Sequence, residues 1–222
     1  MWRDALLVAA KDLRIELRSK VSLNQVVPFA LVVLVIFGLA LGPDPSRLRP
    51  AAAGLFWVAV VFSTMLSVQR SFAIEAAGDA RDHLRLSGLD AGGVFLGKAG
   101  AVIAELLVLE VVLGFVTAFL YGVSLAGVAV LVAAALAATC GLAAVGTLYG
   151  VIATGVRSRE TLLPLLFFPV VAPVVLAAAK SYEDALAHAP GAADGWLILL
   201  AVFALCYLAI GSVAFGPLLE DA

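Results

Sequence analysis

Charge is what this chain has least of. Asp, Glu, Lys and Arg make up 14% of its 222 residues, against about a quarter in an average soluble domain, while 64% are hydrophobic. With a mean hydropathy of +1.11, an ordinary water-soluble globule is excluded. Basic residues are not in excess either: the net charge is −2, which argues against a nucleic-acid partner, because phosphate binding needs clustered Lys and Arg. The only cysteines, Cys140 and Cys206, lie inside apolar runs and read as small packing residues, not as a disulfide or metal framework. The only histidines, His83 and His188, lie outside those runs, so an intramembrane hydrolase would lack a nucleophile backed by histidine. No Gly-x-x-x-x-Gly-Lys-Ser/Thr loop is present, so ATP cannot be bound and split by that route. Any energy must come from a partner.

What the chain does have is a series of long apolar runs. Six are readable: Val21–Leu41, Ala51–Val68, Ala99–Leu120, Leu125–Thr154, Leu162–Ala179 and Trp196–Leu218. Each approaches or exceeds the roughly 20 residues that a helix needs to cross a hydrocarbon core of about 30 Å. The fourth is longer than needed and must tilt, bend or project. The expected fold is an all-α integral membrane protein with six transmembrane helices, forming one domain over residues 1–222. Proline and glycine in the loops "GPDPSRLRP", "YGVS", "GVRSRE" and "KSYEDALAHAPGAADG" end the helices. With six spans, the N-terminus, the second and fourth loops and the C-terminus share one side, which holds eleven of the Lys and Arg residues; the other side holds three. The positive-inside rule puts the first side, with both termini, in the cytoplasm.

The first 20 residues carry both signs of charge, unlike a signal-peptide n-region. Leu6, Ala9, Ala10, Leu13 and Leu17 recur at helical spacing beside Arg3, Lys11, Arg14, Arg18 and Lys20, the pattern of an amphipathic helix in the membrane interface over residues 1–20. Asp12 and Glu16 form a like-charge i,i+4 pair on it. Trp2 and Trp196 read as interfacial anchors.

A second charged stretch, residues 69–98, interrupts the oil between the second and third spans. Read as a helix, Phe72, Ala76, Ala80 and Leu84 make one apolar stripe and Glu75, Asp79 and Asp82 an acidic one beside it. Arg81 and Arg85 lie on another face, and Gly88 with Gly92–Gly93 should break the helix before the third span. Thirty residues is generous for a connection, and long loops tend to be functional.

Within the spans, Glu105 and Glu110 stand out. A charge at the bilayer centre costs roughly 2.5–3.5 kcal/mol on insertion scales. At least one of the two is expected to hold its proton or to face a polar cavity; they either line a pathway or make hydrogen-bonded helix contacts, with Thr117, Thr139, Thr147 and Tyr149 as candidate partners. Lys98 is about 10 Å along the axis from Glu105, too far for an easy contact. Gly146, Gly150 and Thr154, like Gly114, Ala118 and Gly122, give small-xxx-small spacing for close helix approach within or between subunits. Pro164, Pro169 and Pro173 should kink or break the fifth span and are hinge candidates.

The order of several motifs resembles the CcmB family, heme exporter protein B. They are "FGLALGPDP" closing the first span, "GLFWVAVVFSTML" in the second, then "QRSF", "HLRLSGL" and "GKA" in the charged loop, and "RSRETLLPLLFFPVVAPVV" in the fifth span. Relatives often carry Gly-x-Leu-Glu in that loop, where this chain has "DARDHL". The resemblance implies an ABC-2-like permease in the bacterial inner membrane, in contact with lipid and serving c-type cytochrome assembly; six spans are half of a usual transport unit, which favours a homodimer, and the alternative readings are a structural scaffold of the maturation complex or an ABC-2 permease for an unrelated substrate. The resemblance also implies that the loop is a cytoplasmic coupling helix against a separate CcmA-like ATPase, with Arg70, Phe72, Glu75, Asp79, Asp82, Leu84 and Arg85 as contact candidates. CcmC-like heme-handling and CcmD-like small membrane subunits are the further implied partners. Heme is implied as a transient substrate, with no tightly bound cofactor and no metal site. The chain lacks the tryptophan-rich heme motif of the complex's other membrane subunit, and neither histidine has the setting of a heme ligand.

Overall fold

A computed structural model describes all residues except 21, 77–87, 126, 155–158, 188–192 and 222, and leaves the side chains of 22–23, 74–76, 154, 159–160 and 220–221 undescribed. Among the described residues the structure is helical: α1 (Trp2–Ser19), a π-helical turn (Ser22–Val26), α2 (Val27–Leu41), α3 (Pro45–Ala76), α4 (Ala91–Tyr121), α5 (Val128–Thr154), α6 (Arg159–Leu186) and α7 (Asp194–Asp221). Six of these helices are long and apolar enough to cross a membrane, as expected.

The helices outrun the apolar runs, for local reasons. Asp44 caps α3: its carboxylate accepts from the Ser46 N–H at 2.9 Å, a bond that holds its pKa below the usual carboxylate value. Pro45 fills the first helical position, where its missing N–H costs nothing. The stretch expected to be a loop up to Pro50 is therefore helical, with Pro50 inside the helix. Asp90 likewise caps α4 through the Gly93 N–H at 2.7 Å, so Gly92 and Gly93 lie in the first turn instead of breaking the chain; Gly88, at φ 66°, makes the turn before it. In α6, Pro164, Pro169 and Pro173 all lie within one continuous helix, which none of them ends.

α5 is the central post. It packs most extensively on α6 and α7 and also touches α3 and α4. Ala134, Ala138, Leu142, Ala143, Ala144 and Val145 are fully buried along it. Gly150 lets Phe72 of α3 lie against the backbone: a Cβ there would come within 2.3 Å of the ring. At the other end of the bundle, the Tyr121 hydroxyl donates to the Leu34 carbonyl at 2.7 Å and ties α4 to α2.

α1 is docked on the helix bundle. It packs closely along the start of α4, with Met1 and Asp4 against Gly93 and the buried Ala5 and Val8 against Gly97. The leucine stripe read from the sequence is on a different face, where Leu6 and Leu17 remain exposed, as a lipid-facing surface requires.

Candidate functional site: a polar cluster at the root of the charged loop

The loop between α3 and α4 is held at both roots by α1. Arg70, near the end of α3, places Nε 3.1 Å from a Glu16 oxygen, and its Nη2 donates to the Ser19 hydroxyl at 2.9 Å. Lys98, on the second turn of α4, lies 3.5 Å from Asp12, donates to the Ser71 hydroxyl at 3.4 Å, and sits over the Phe72 ring at 4.8 Å from its centroid. Lys98 is 2% exposed, so its charge is supported by a carboxylate, a hydroxyl and a π-face in place of water. The like-charge pair Asp12–Glu16 is thus explained: one turn apart, each carboxylate meets a different cation from a different root of the loop.

Glu105 belongs to this cluster. It accepts from the Ser67 hydroxyl at 3.1 Å, and together with Lys11, Asp12, Glu16, Arg70 and Ser71 it lines a cavity of about 150 Å³. Facing a polar cavity was one of the two expected outcomes for a glutamate in this span. Glu110 has a different setting. It is buried and accepts from the Thr139 hydroxyl of α5, the helix–helix contact expected of a membrane carboxyl. Among the described residues its second oxygen has no partner, and neither do the buried hydroxyls of Thr117 and Thr147.

Of the residues singled out in the loop, Arg70 and Phe72 are thus brought into one anchored cluster. Asp79, Asp82, Leu84 and Arg85 lie outside the described residues, as do Arg81, His83, His188 and most of "GVRSRE"; Glu75 lies on α3 with its side chain undescribed. Pro164, Pro169 and Pro173 are on α6, apart from this cluster. The residues not foreseen are Asp12, Glu16, Ser19, Ser67, Ser71 and Lys98. Their one sequence signal was the acidic i,i+4 pair on α1, opposite two basic residues that flank the loop.

Among the described residues no group of three or more His, Cys, Asp or Glu is placed to hold a metal ion. The arrangement consists of ion pairs and hydrogen bonds that link the end of α1, the end of α3 and the start of α4.

The chain is 30% identical over 220 residues to "Heme exporter protein B" of Paracoccus denitrificans, covering 97% of each chain. It is 27% identical over 213 residues to the protein of that name from Haemophilus influenzae, covering 95% of this chain and 92% of the relative. With the Pseudomonas aeruginosa protein the identity is 26% over 203 residues and 90% of each chain. Residues 3–221 match the family described as "CcmB protein", and the chain belongs to that family of multi-pass membrane permeases.

Proposed function

We propose that this chain is the membrane subunit of an ABC-type heme exporter for c-type cytochrome assembly, driven by a separate cytoplasmic ATPase that bears on residues 69–98. The relatives' name supports heme as the transported or mobilised substrate. The observation that carries the coupling role is the double anchorage of the loop: Arg70 to Glu16 at one root, Lys98 to Asp12 at the other. A force on the loop reaches α1, α3 and α4 together, because no root can shift without breaking a partly buried ion pair. The chain itself is non-catalytic in this reading; it converts hydrolysis elsewhere into helix movement, which exports heme or releases a heme-loaded chaperone. Eleven basic residues against three support a cytoplasmic side for both termini and the loop. Six spans are half of a usual transport unit, which supports a homodimer, joined by CcmC-like and CcmD-like membrane subunits.

The test is affinity purification from native membranes in mild detergent, with and without reversal of Glu75, Asp79 and Asp82 to Lys. The unmodified chain should retain an ATPase whose turnover responds to it. The triple variant should lose that ATPase or uncouple it, at equal protein level. Equal recovery and equal turnover would reject the loop as the contact.

A further inference from the structure

The side of α1 turned away from the bundle carries a charge pattern that nothing in the chain answers. Asp12 and Glu16 meet the loop roots; Arg14 and Arg18, each two residues further on, lie about 200° round the helix from them. Both arginines are exposed and form no ion pair among the described residues. With Lys11 they make a basic stripe at i, i+3 and i+7, along a groove of about 260 Å³ whose apolar lining is Leu7, Ala10 and Ile15. Leu6 and Leu17, 72% and 76% exposed, continue the apolar surface beside it.

Depth decides what can reach this groove. The Ser19 hydroxyl, next to Arg18 in the chain, accepts from Arg70, and Arg70 lies in the last turn of the apolar stretch Pro45–Ala73 of α3. Those 29 residues are about 44 Å long as a helix, the thickness of a bilayer with both headgroup layers. Arg70 and the end of α1 therefore lie among the headgroups, with Arg14 one turn before Arg18. A soluble protein meets the membrane outside that layer, whereas phospholipid phosphates fill it. Cations beside exposed leucines match an amphiphile with an anionic head; an acidic protein surface would answer the cations and leave the leucines in water.

We propose that this face of α1 binds an anionic phospholipid, its phosphate on Arg14 and Arg18 with Lys11 at the edge, and its apolar part against the neighbouring leucines. The inference depends on neither the ATPase nor heme. Lys11 and Ile15 line the polar cavity as well as this groove, so the lipid rests directly against the ion pairs that hold the loop. Lys11 is already paired with Asp12 at 3.0 Å, which leaves the two arginines to discriminate between headgroups. A basic residue near an anionic surface contributes about fivefold in affinity, so two give a margin of about 25-fold over a headgroup without net charge.

Native mass spectrometry of the full chain in detergent, titrated with dioleoyl phosphatidylglycerol or with phosphatidylcholine of the same chains, measures this margin. The unmodified chain should bind phosphatidylglycerol about 25-fold more tightly. Arg14→Gln with Arg18→Gln should bring the two affinities close together, and Arg14→Lys with Arg18→Lys should keep most of the margin. Arg47→Gln with Arg49→Gln, the same charge change on the exposed start of α3, should leave it intact. If the double glutamine variant of α1 fails to accumulate, Arg14→Gln alone decides, with a drop of about fivefold. Excess inorganic phosphate should not displace the lipid. No margin in the unmodified chain, a margin indifferent to Arg14 and Arg18, or displacement by inorganic phosphate would overturn the proposal. So would loss of a soluble protein from native membranes of the glutamine variant with the lipid margin unchanged, which would assign the face to protein.

Discussion

Arg70 and Glu16 meet at 3.1 Å with 20% and 17% of their side chains exposed, between the regimes of a surface pair and a buried one. Their neighbours make reversal asymmetric. Asp12 and Glu105 line the same cavity, so Arg70→Glu gathers four carboxyl groups beside Lys11, whereas Glu16→Arg leaves three cations beside two carboxyls. Arg70→Glu should therefore cost more, about 3 kcal/mol, against about 1–2 kcal/mol for Glu16→Arg, and the double swap should recover a coupling of about 1–2 kcal/mol. Thermal melting of the four proteins in detergent checks the ordering; equal losses for the two single variants would remove Glu105 from the cluster. This difference between Glu105 and Glu110 was not legible in the sequence. Both are glutamates in the middle of an apolar run, and what separates them is Ser67 on one side and Thr139 on the other, contacts that exist only once α3 and α5 are packed. Thr139 was among the candidate partners; Ser67 was not.

Helices, as elements, were legible in number and order but not in length. Hydropathy reports contact with hydrocarbon, while a helix continues for as long as its ends are capped and its sides supported. Asp44 and Asp90 extend α3 and α4 well beyond their apolar runs, and the signal for both was short-range and present in the chain. The docking of α1 was not readable, because its amphipathic stripe pointed to lipid while the contact uses the neighbouring face. That contact depends on the absence of a side chain at Gly97, where a Cβ would come within 2.6 Å of the Ala5 carbonyl oxygen. Backbone cannot yield as a flexible side chain can, so Gly97→Leu should detach α1 and break both loop anchors while leaving the six spans in place. Faster proteolysis within residues 2–19, with unchanged helical circular dichroism of the remainder, is the expected result; α1 equally protected in both proteins would show that its docking tolerates the clash. The three prolines of α6 are the converse case: they are readable as breakers, yet sit inside one helix, because neighbours in a membrane bundle can satisfy the freed carbonyls.

At the scale of the molecule, the excess of eleven basic residues on one side over three on the other predicts orientation. In a background with Cys140 and Cys206 replaced by Ala, a cysteine at Ser124 should react with a membrane-impermeant maleimide from outside intact cells at least about tenfold faster than one at Arg18. The ranking should invert on inside-out vesicles; fast labelling of both in intact cells would contradict six spans. The molecule also has a division of labour among its helices that follows from where proline is absent. α3, α6 and α7 each carry proline within the helix, and α2 has one in its first turn; α4 and α5 carry none. α4 also touches everything of consequence: α1 and the anchored loop root at its start, the Glu110–Thr139 contact with α5 at mid-depth, and the Tyr121 tie to α2 at its end. At 1.5 Å per residue its 31 residues make a rod of about 46 Å. Tilted by about 10° around its midpoint, such a rod swings each end by about 4 Å, in opposite directions. In the proposed coupling α4 is a lever: a push on one face of the membrane becomes an opposite displacement on the other, with no change in the helix itself.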